Sequence, residues 1–153
     1  MEAEGLREII SNWEAAAEYE EENTQFLNVV ITPPQLKALA ENLRKDESTH
    51  FDYMFCLTCV DYPEYFMMVY HFRSTTHKHE MVLKVGIDDK ESPVVDTLSD
   101  IWRTAEFLER EVYDLFGVKF NNHPDLRRIL LDDDWKGYPL RKDYVDPVNI
   151  VSY

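Results

Sequence analysis

The stretch FDYMFCLTCVDYPEYFMMVYHFRSTTHKHEMVLKVGI, residues 51–87, decides the fold. It contains three apolar runs of strand length, at 51–60, 65–73 and 79–87, separated by Asp61-Tyr62-Pro63-Glu64 and Ser74-Thr75-Thr76. That spacing predicts an antiparallel meander. In the first run Phe51, Tyr53, Phe55 and Leu57 alternate with Met54, Cys56 and Val60, so both faces are apolar and the strand is expected to be central. Helices would then cover one face of the sheet, and another element the second.

Working toward the N-terminus, residues 26–31 form another apolar run, and Thr32-Pro33-Pro34-Gln35 supplies an N-cap, a proline at the first helical position and a capping-box glutamine. Leu36, Leu39, Ala40 and Leu43 give the following helix its buried stripe. Residues 3–14 place Leu6, Ile9, Ile10 and Trp13 on one helical stripe, and the acidic stretch 18–22 reads as a solvated connection. Toward the C-terminus, Thr97 and Asp100 are spaced as a capping box. Ile101, Ala105, Leu108, Val112 and Leu115 continue at helical steps until Gly117, a ready C′ residue. The expected fold class is α+β: a four-stranded, mixed and largely antiparallel sheet covered by helices. It divides into an N-terminal helix and acidic connection (1–24), an α+β domain (25–117) and an extended C-terminal arm (118–153). That arm, about 36 residues without a sustained period, must satisfy its backbone groups on its own domain or on another protein.

The 153 residues, 44% apolar and 13% aromatic, suit one domain with a sizeable core. Sixteen basic and 30 acidic side chains give a formal charge of −14, which argues against nucleic acid and anionic membrane as partners. Residues 1–117 hold 10 Lys/Arg and 24 Asp/Glu, whereas residues 118–153 hold six of each. The acidic body would steer a basic partner, and the mixed charges of the arm suit specific pairing. No apolar run approaches the roughly 20 residues that cross a bilayer. With no positively charged, apolar leader and only two cysteines, the chain is expected to stay in a reducing cytoplasm.

Cys56-Leu57-Thr58-Cys59 has redox or metal spacing, but residues three apart on a strand point to opposite faces and no second cysteine pair completes a site. His77-Lys78-His79 offers no ligand ladder. Glu109 and Glu111 invite a paired-carboxylate hydrolase reading; at about 100° per residue they lie roughly 200° apart and cannot flank one substrate atom. Ion pairs fit better, Glu106 to Arg110 and Arg110 to Asp114, with Arg127 or Arg128 folding back to bridge Glu111 and Asp114. Removal of residues 121–153 is expected to leave the body folded yet abolish its incorporation with a partner. No phosphate-binding loop or nucleophile elbow is present.

Glu109-Arg110-Glu111-x-x-Asp114-x-x-Gly117, then His123-Pro124-Asp125-Leu126-Arg127-Arg128-Ile129-Leu130, then Asp134-Trp135-x-Gly137-x-Pro139-Leu140-Arg141-Lys142-Asp143-Tyr144 carry a resemblance. They follow in order and spacing the signature of the C subunit of the proton-pumping NADH:quinone oxidoreductase, respiratory complex I. The resemblance is specific over about residues 95–145 and looser over 25–94; Arg103-Thr104 and Glu106-Phe107 depart from it. It implies a cofactor-free component, itself without catalytic, cofactor or metal residues, in the hydrophilic arm of the complex. That complex carries electrons from NADH to quinone and translocates protons, with FMN and iron–sulfur clusters in partner subunits. The implied neighbours are the large quinone-site subunit and the iron–sulfur subunits, at the cytoplasmic side of the cell membrane, touching the membrane only through the complex. The signature residues would form the interface. The alternative is the equivalent component of a ferredoxin- or hydrogenase-linked membrane complex.

Overall fold

In the computed structural model, residues 3–20 and 24–146 are described. The elements are α1 (Ala3–Trp13), β1 (Glu18–Glu20), β2 (Leu27–Ile31), α2 (Pro33–Lys45), β3 (Tyr53–Asp61), β4 (Phe66–Arg73), β5 (Glu80–Ile87), β6 (Val94–Asp96), α3 (Ala105–Phe116) and β7 (Lys119–Asn121). The meander β3, β4 and β5 pairs antiparallel as its pattern requires, and β2 joins β5 in parallel. The fold is therefore α+β with a mixed sheet, in the order β1-β2-β5-β4-β3.

The sheet has five strands rather than four. Within the acidic stretch expected to be a solvated connection, Glu18–Glu20 adds an edge strand, because Tyr19 gives it something to hold. The Tyr19 hydroxyl lies 2.8 Å from Ser11 Oγ, and the Arg7 guanidinium sits 4.6 Å from the ring centroid, fastening β1 to α1. Glu20 also pairs with Lys84 across the sheet.

A second difference concerns β3, which is an edge strand and not central. A register shift between Met54 and Cys56 lets Met54 and Leu57 both face the core, while Tyr53, Phe55 and Val60 remain 44%, 38% and 39% exposed. Among the described residues no element packs over its second apolar face.

Core packing is on one side of the sheet. Phe66, Met68, Tyr70 and Phe72 from β4 meet Leu36, Leu39, Ala40 and Leu43 of α2 and Val112 and Phe116 of α3 in one cluster. Each large side chain removed from water there contributes about 1.5–3 kcal/mol. At the start of α2 the Thr32 N–H donates to Gln35 Oε1 at 2.7 Å, the reciprocal half of the expected capping box. Residues 97–104 make turns rather than the expected first helical turn, and α3 begins at Ala105. β6 and β7 form a small parallel sheet that no periodicity announced. Trp102 Nε1 donates to the Phe51 carbonyl at 2.9 Å and Thr104 Oγ1 to the Met54 carbonyl at 2.6 Å, pinning the turns to β3 and the residues before it.

Candidate docking arm and the buried charges beneath it

α3 is an amphipathic helix whose inward face carries charge. Ala105, Val112 and Phe116 are buried, and so are Glu109, Arg110 and Asp114, whereas Glu111 points outward and is exposed. The expected separation of Glu109 from Glu111 is what the helix shows. Such a face is tolerable only if each charge meets a partner, and the arm supplies the partners for two of the three.

Asp114, with a side chain 0% exposed, organises the arm. Its Oδ2 accepts the N–H groups of Ile129, Leu130 and Leu131 at 3.1, 2.7 and 2.9 Å, and its Oδ1 accepts Arg128 Nη1 at 2.8 Å. Arg128 also donates to the carbonyls of Asp114 (2.7 Å), Trp135 (3.1 Å) and Gly137 (2.9 Å). Burial works to raise the Asp114 carboxyl, but Arg128 and the three backbone N–H groups outweigh it and hold the group below the usual carboxylate range. Arg110 does not make the expected pairs with Glu106 and Asp114. Its Nε and Nη2 donate to the carbonyls of Arg127 (3.1 Å) and Arg128 (2.9 Å), because α3 presents it to the returning arm rather than to solvent.

The expected bridge is therefore half formed. Arg128 reaches Asp114 but not Glu111, and Arg127 instead pairs at 3.0 Å with Asp125 on the exposed surface. His123, its side chain fully enclosed, donates from Nε2 to the Glu106 carbonyl at 2.9 Å. Pro124 and Asp125 lie on the surface beside it.

Further along, the Tyr138 ring meets two guanidinium groups, Arg128 at 5.2 Å and Arg141 at 5.1 Å from its centroid. Arg141 donates to the carbonyls of Phe116 (2.5 Å) and Lys90 (3.2 Å), and the Leu140 N–H donates to the Leu115 carbonyl at 3.1 Å. The Lys142 N–H donates to Oδ2 of buried Asp61 at 2.8 Å, and Lys90 pairs with that carboxylate. Gly117 ends α3 at φ +76°, and a Cβ there would stand 2.5 Å from the Tyr138 ring. Gly137, at φ +81°, brings the chain similarly close to Tyr144, where a Cβ would stand 2.9 Å from the ring. Pro139 is half-buried, and Lys142 and Asp143 are exposed.

Arg110, Asp114, Gly117, His123, Arg128 and Arg141 thus meet on the inner side of the arm, where it wraps its own domain, whereas Glu111, Pro124, Asp125, Arg127, Trp135, Lys142 and Asp143 are exposed. Truncation at residue 121 would remove all four donors of Asp114 and the Lys142 N–H that Asp61 accepts. Tyr138, Asp61 and Lys90 also belong to this clasp; sequence reasoning placed Asp61 only in the turn after β3 and missed the other two. The aromatic between Gly137 and Pro139, in an arm rich in arginine, was the available signal for the first.

The arm's outer side is apolar in places. Leu130 is 63% exposed, Leu140 53%, Val145 68%, Ile129 38% and Trp135 37%. Among the described residues no group of three or more His, Cys, Asp or Glu side chains is arranged to hold a metal ion, and no helix is long and apolar enough to cross a membrane. Cys56 and Cys59 are free thiols; Cys59 is buried, and burial pushes its thiol up to about 12.

The family model described as "Respiratory-chain NADH dehydrogenase, 30 Kd subunit" matches residues 29–148. A protein of Chloroherpeton thalassium, named as the C subunit of NADH-quinone oxidoreductase, is 50% identical over 110 residues, which are 71% of this chain and 45% of that protein. Its namesake from Geobacter sulfurreducens is 51% identical over 102 residues, 64% of this chain and 62% of the relative. A Phocaeicola vulgatus protein, named as the C/D subunit of NADH-quinone oxidoreductase, is 43% identical over 120 residues, 78% of this chain and 23% of that protein. The chain therefore spans less than two thirds of the length of each of these relatives. Among solved structures, a chain of the membrane-bound sulfane sulfur reductase, an archaeal respiratory membrane complex, superposes with a TM-score of 0.76 at 27% identity, covering 95% of this chain and 86% of that one. By sequence over most of its length, and by a fold shared with part of a respiratory membrane complex, the chain belongs to the family of the 30 Kd subunit of respiratory-chain NADH dehydrogenase.

Proposed function

We propose that this chain is a structural, assembly-type subunit of the hydrophilic arm of a membrane-associated NADH:quinone oxidoreductase. It carries no redox group and takes no part in the chemistry. The whole complex moves electrons from NADH through FMN and iron–sulfur clusters to quinone and translocates protons. This component keeps neighbouring redox subunits in register, on the cytoplasmic side of the membrane, without entering the bilayer.

The observation that carries this reading is the two-sided arm. Its inner side is fixed to α3 through Asp114, Arg110, Arg128 and Arg141, and its outer side presents Ile129, Leu130, Trp135, Leu140 and Val145 to the surroundings. A rigid backbone with exposed apolar side chains suits a preformed protein interface, since little ordering remains to oppose association. Tyr53, Phe55 and Val60 on the uncovered face of β3 offer a second patch of the same kind. The large quinone-site subunit is the first neighbour in this reading. The Phocaeicola relative with the double name, of which the match occupies 23%, supports that proximity by joining such a chain covalently to a longer one.

The test is recovery of the tagged chain from gently solubilised membranes, with mass spectrometry of what accompanies it. NADH-binding flavoprotein and iron–sulfur chains are the expected companions; recovery of the chain alone overturns the reading. The sulfane sulfur reductase match favours one second reading, membership of a related ferredoxin- or hydrogenase-linked membrane complex, and a hydrogenase-like set of companions would select it.

A further inference from the structure

Asp114 and Arg110 have partners in the arm; Glu109, the third buried charge of α3, takes its hydrogen bonds from the 97–104 turns. It is 0% exposed. Its Oε1 accepts the Leu98 N–H at 2.7 Å, and its Oε2 lies 2.5 Å from Thr97 Oγ1. The other groups facing it are His123 after β7, Lys37 on α2, Asp100 in the 97–104 turns and Tyr70 on β4, with Cys59 on β3 beside Tyr70.

None of these is a counter-ion for Glu109. His123 Nε2 stands 3.7 Å from Oε2 and could be mistaken for one, but both ring nitrogens are committed elsewhere. Nδ1 accepts the Asp125 N–H at 3.0 Å and so carries no hydrogen, while Nε2 donates to the Glu106 carbonyl. Neither nitrogen is bonded to Glu109. Lys37 is bonded to Asp100 and to the Thr97 carbonyl, so its charge is already answered. Tyr70 turns a buried hydroxyl without a hydrogen-bond partner into the same core.

The hydroxyls suit a neutral acid. Thr97 Oγ1 accepts the Ser99 N–H at 3.1 Å and lies 2.8 Å from Ser99 Oγ, yet it has a single hydrogen to give. A proton on Glu109 Oε2 donated to Thr97, with Thr97 donating to Ser99, satisfies every atom in the chain of bonds and leaves no enclosed charge.

We propose that Glu109 is a proton-binding site of the folded protein: the neutral acid is the form around which the fold is built, and its ionisation weakens the joint between the 97–104 turns and α3. Protons reach it through Thr97, which lines a cleft of about 320 Å³ with Lys37, Asp96, Asp100, Asn121 and Asn122. Burial pushes the carboxyl up from 4.5 to about 7, against the opposing pull of the Thr97 and Leu98 bonds and of Lys37, with Asp100 adding to the rise. A raised folded-state value means that this contribution to stability is complete below 4.5 and is lost as pH rises through about 7. The site belongs to this chain alone and stands whether or not the assembly reading holds.

The experiment compares urea unfolding of the full chain and of Glu109→Gln between pH 5.5 and 8.5. Gln keeps a donor for Thr97 and an acceptor for Leu98 without a titrating proton. The wild-type folding constant should fall about thirtyfold relative to the variant over that interval, the ratio set by carboxyl values of 4.5 and about 7. Parallel pH profiles would overturn the proposal. If Glu109→Gln does not fold, carboxyl-carbon NMR of the wild type decides: one glutamate titrating near neutrality supports the site, and all glutamates titrating in the ordinary range overturns it.

Discussion

Replacing Asp114 by Asn removes the charge that organises the arm while keeping the side chain's shape. The wild-type carboxylate accepts four hydrogen bonds, from Arg128 and from the N–H groups of Ile129, Leu130 and Leu131. An Asn oxygen turned toward the three N–H groups leaves its own NH2 facing Arg128 Nη1, donor against donor, with the guanidinium unneutralised. Breaking one partner of an enclosed, hydrogen-bonded ion pair costs about 3–5 kcal/mol, a large share of the roughly 5–15 kcal/mol that holds a typical domain together. With a urea slope of about 2 kcal/mol/M, the unfolding midpoint should fall by about 1.5–2.5 M. Acid supplies an internal control. Asp114 is held below the usual carboxylate range, so its contribution is complete above the unfolded-state value of about 3.9 and is lost as pH falls through the folded one. Wild type and variant should therefore converge in acid. A midpoint shift below about 0.5 M at neutral pH would refute the assignment of Asp114 as the anchor of the arm.

The two neighbouring arginines should separate cleanly. Arg128→Lys loses a fork that serves Asp114, Trp135 and Gly137 together and should cost about 2 kcal/mol or more, whereas Arg127→Lys, which touches only exposed Asp125 through its side chain, should stay within about 0.5 kcal/mol in the same unfolding assay. Gly117→Ala forces a side chain into φ +76° and against Tyr138, and thermal melting should show a loss beyond the roughly 1–3 kcal/mol of backbone strain alone; an unchanged melting temperature would contradict the close packing of the arm there.

Much of the fold was legible because it rests on local pattern. The apolar runs at 51–87 pointed to the meander, and the stripe Leu36, Leu39, Ala40 and Leu43 to the buried face of α2. The misreadings share a cause. An apolar second face on β3 says that the residues prefer burial, not what buries them, so the strand read as central where the chain leaves it at an edge. β1, three residues long with glutamate at both ends, has no pattern of its own and is held by Tyr19. On α3, charge spacing suggested i,i+4 pairs along a solvated helix. The helix instead turns Glu109, Arg110 and Asp114 inward, where most of their partners are backbone groups with no trace in the sequence. The signature residues were identifiable from their order; the part that Arg110, Asp114, Arg128 and Arg141 play in clasping the arm required the tertiary return of residues 123–144.

The central claim, that the outer side of the clasped arm docks a neighbouring subunit, is tested most directly by paired Leu130→Asp and Leu140→Asp substitutions, residues 63% and 53% exposed. The double variant should melt within about 1 kcal/mol of wild type, as exposed substitutions do, yet fail to co-migrate with the large subunit on native gels of solubilised membranes. Normal co-migration of a folded double variant would contradict the account.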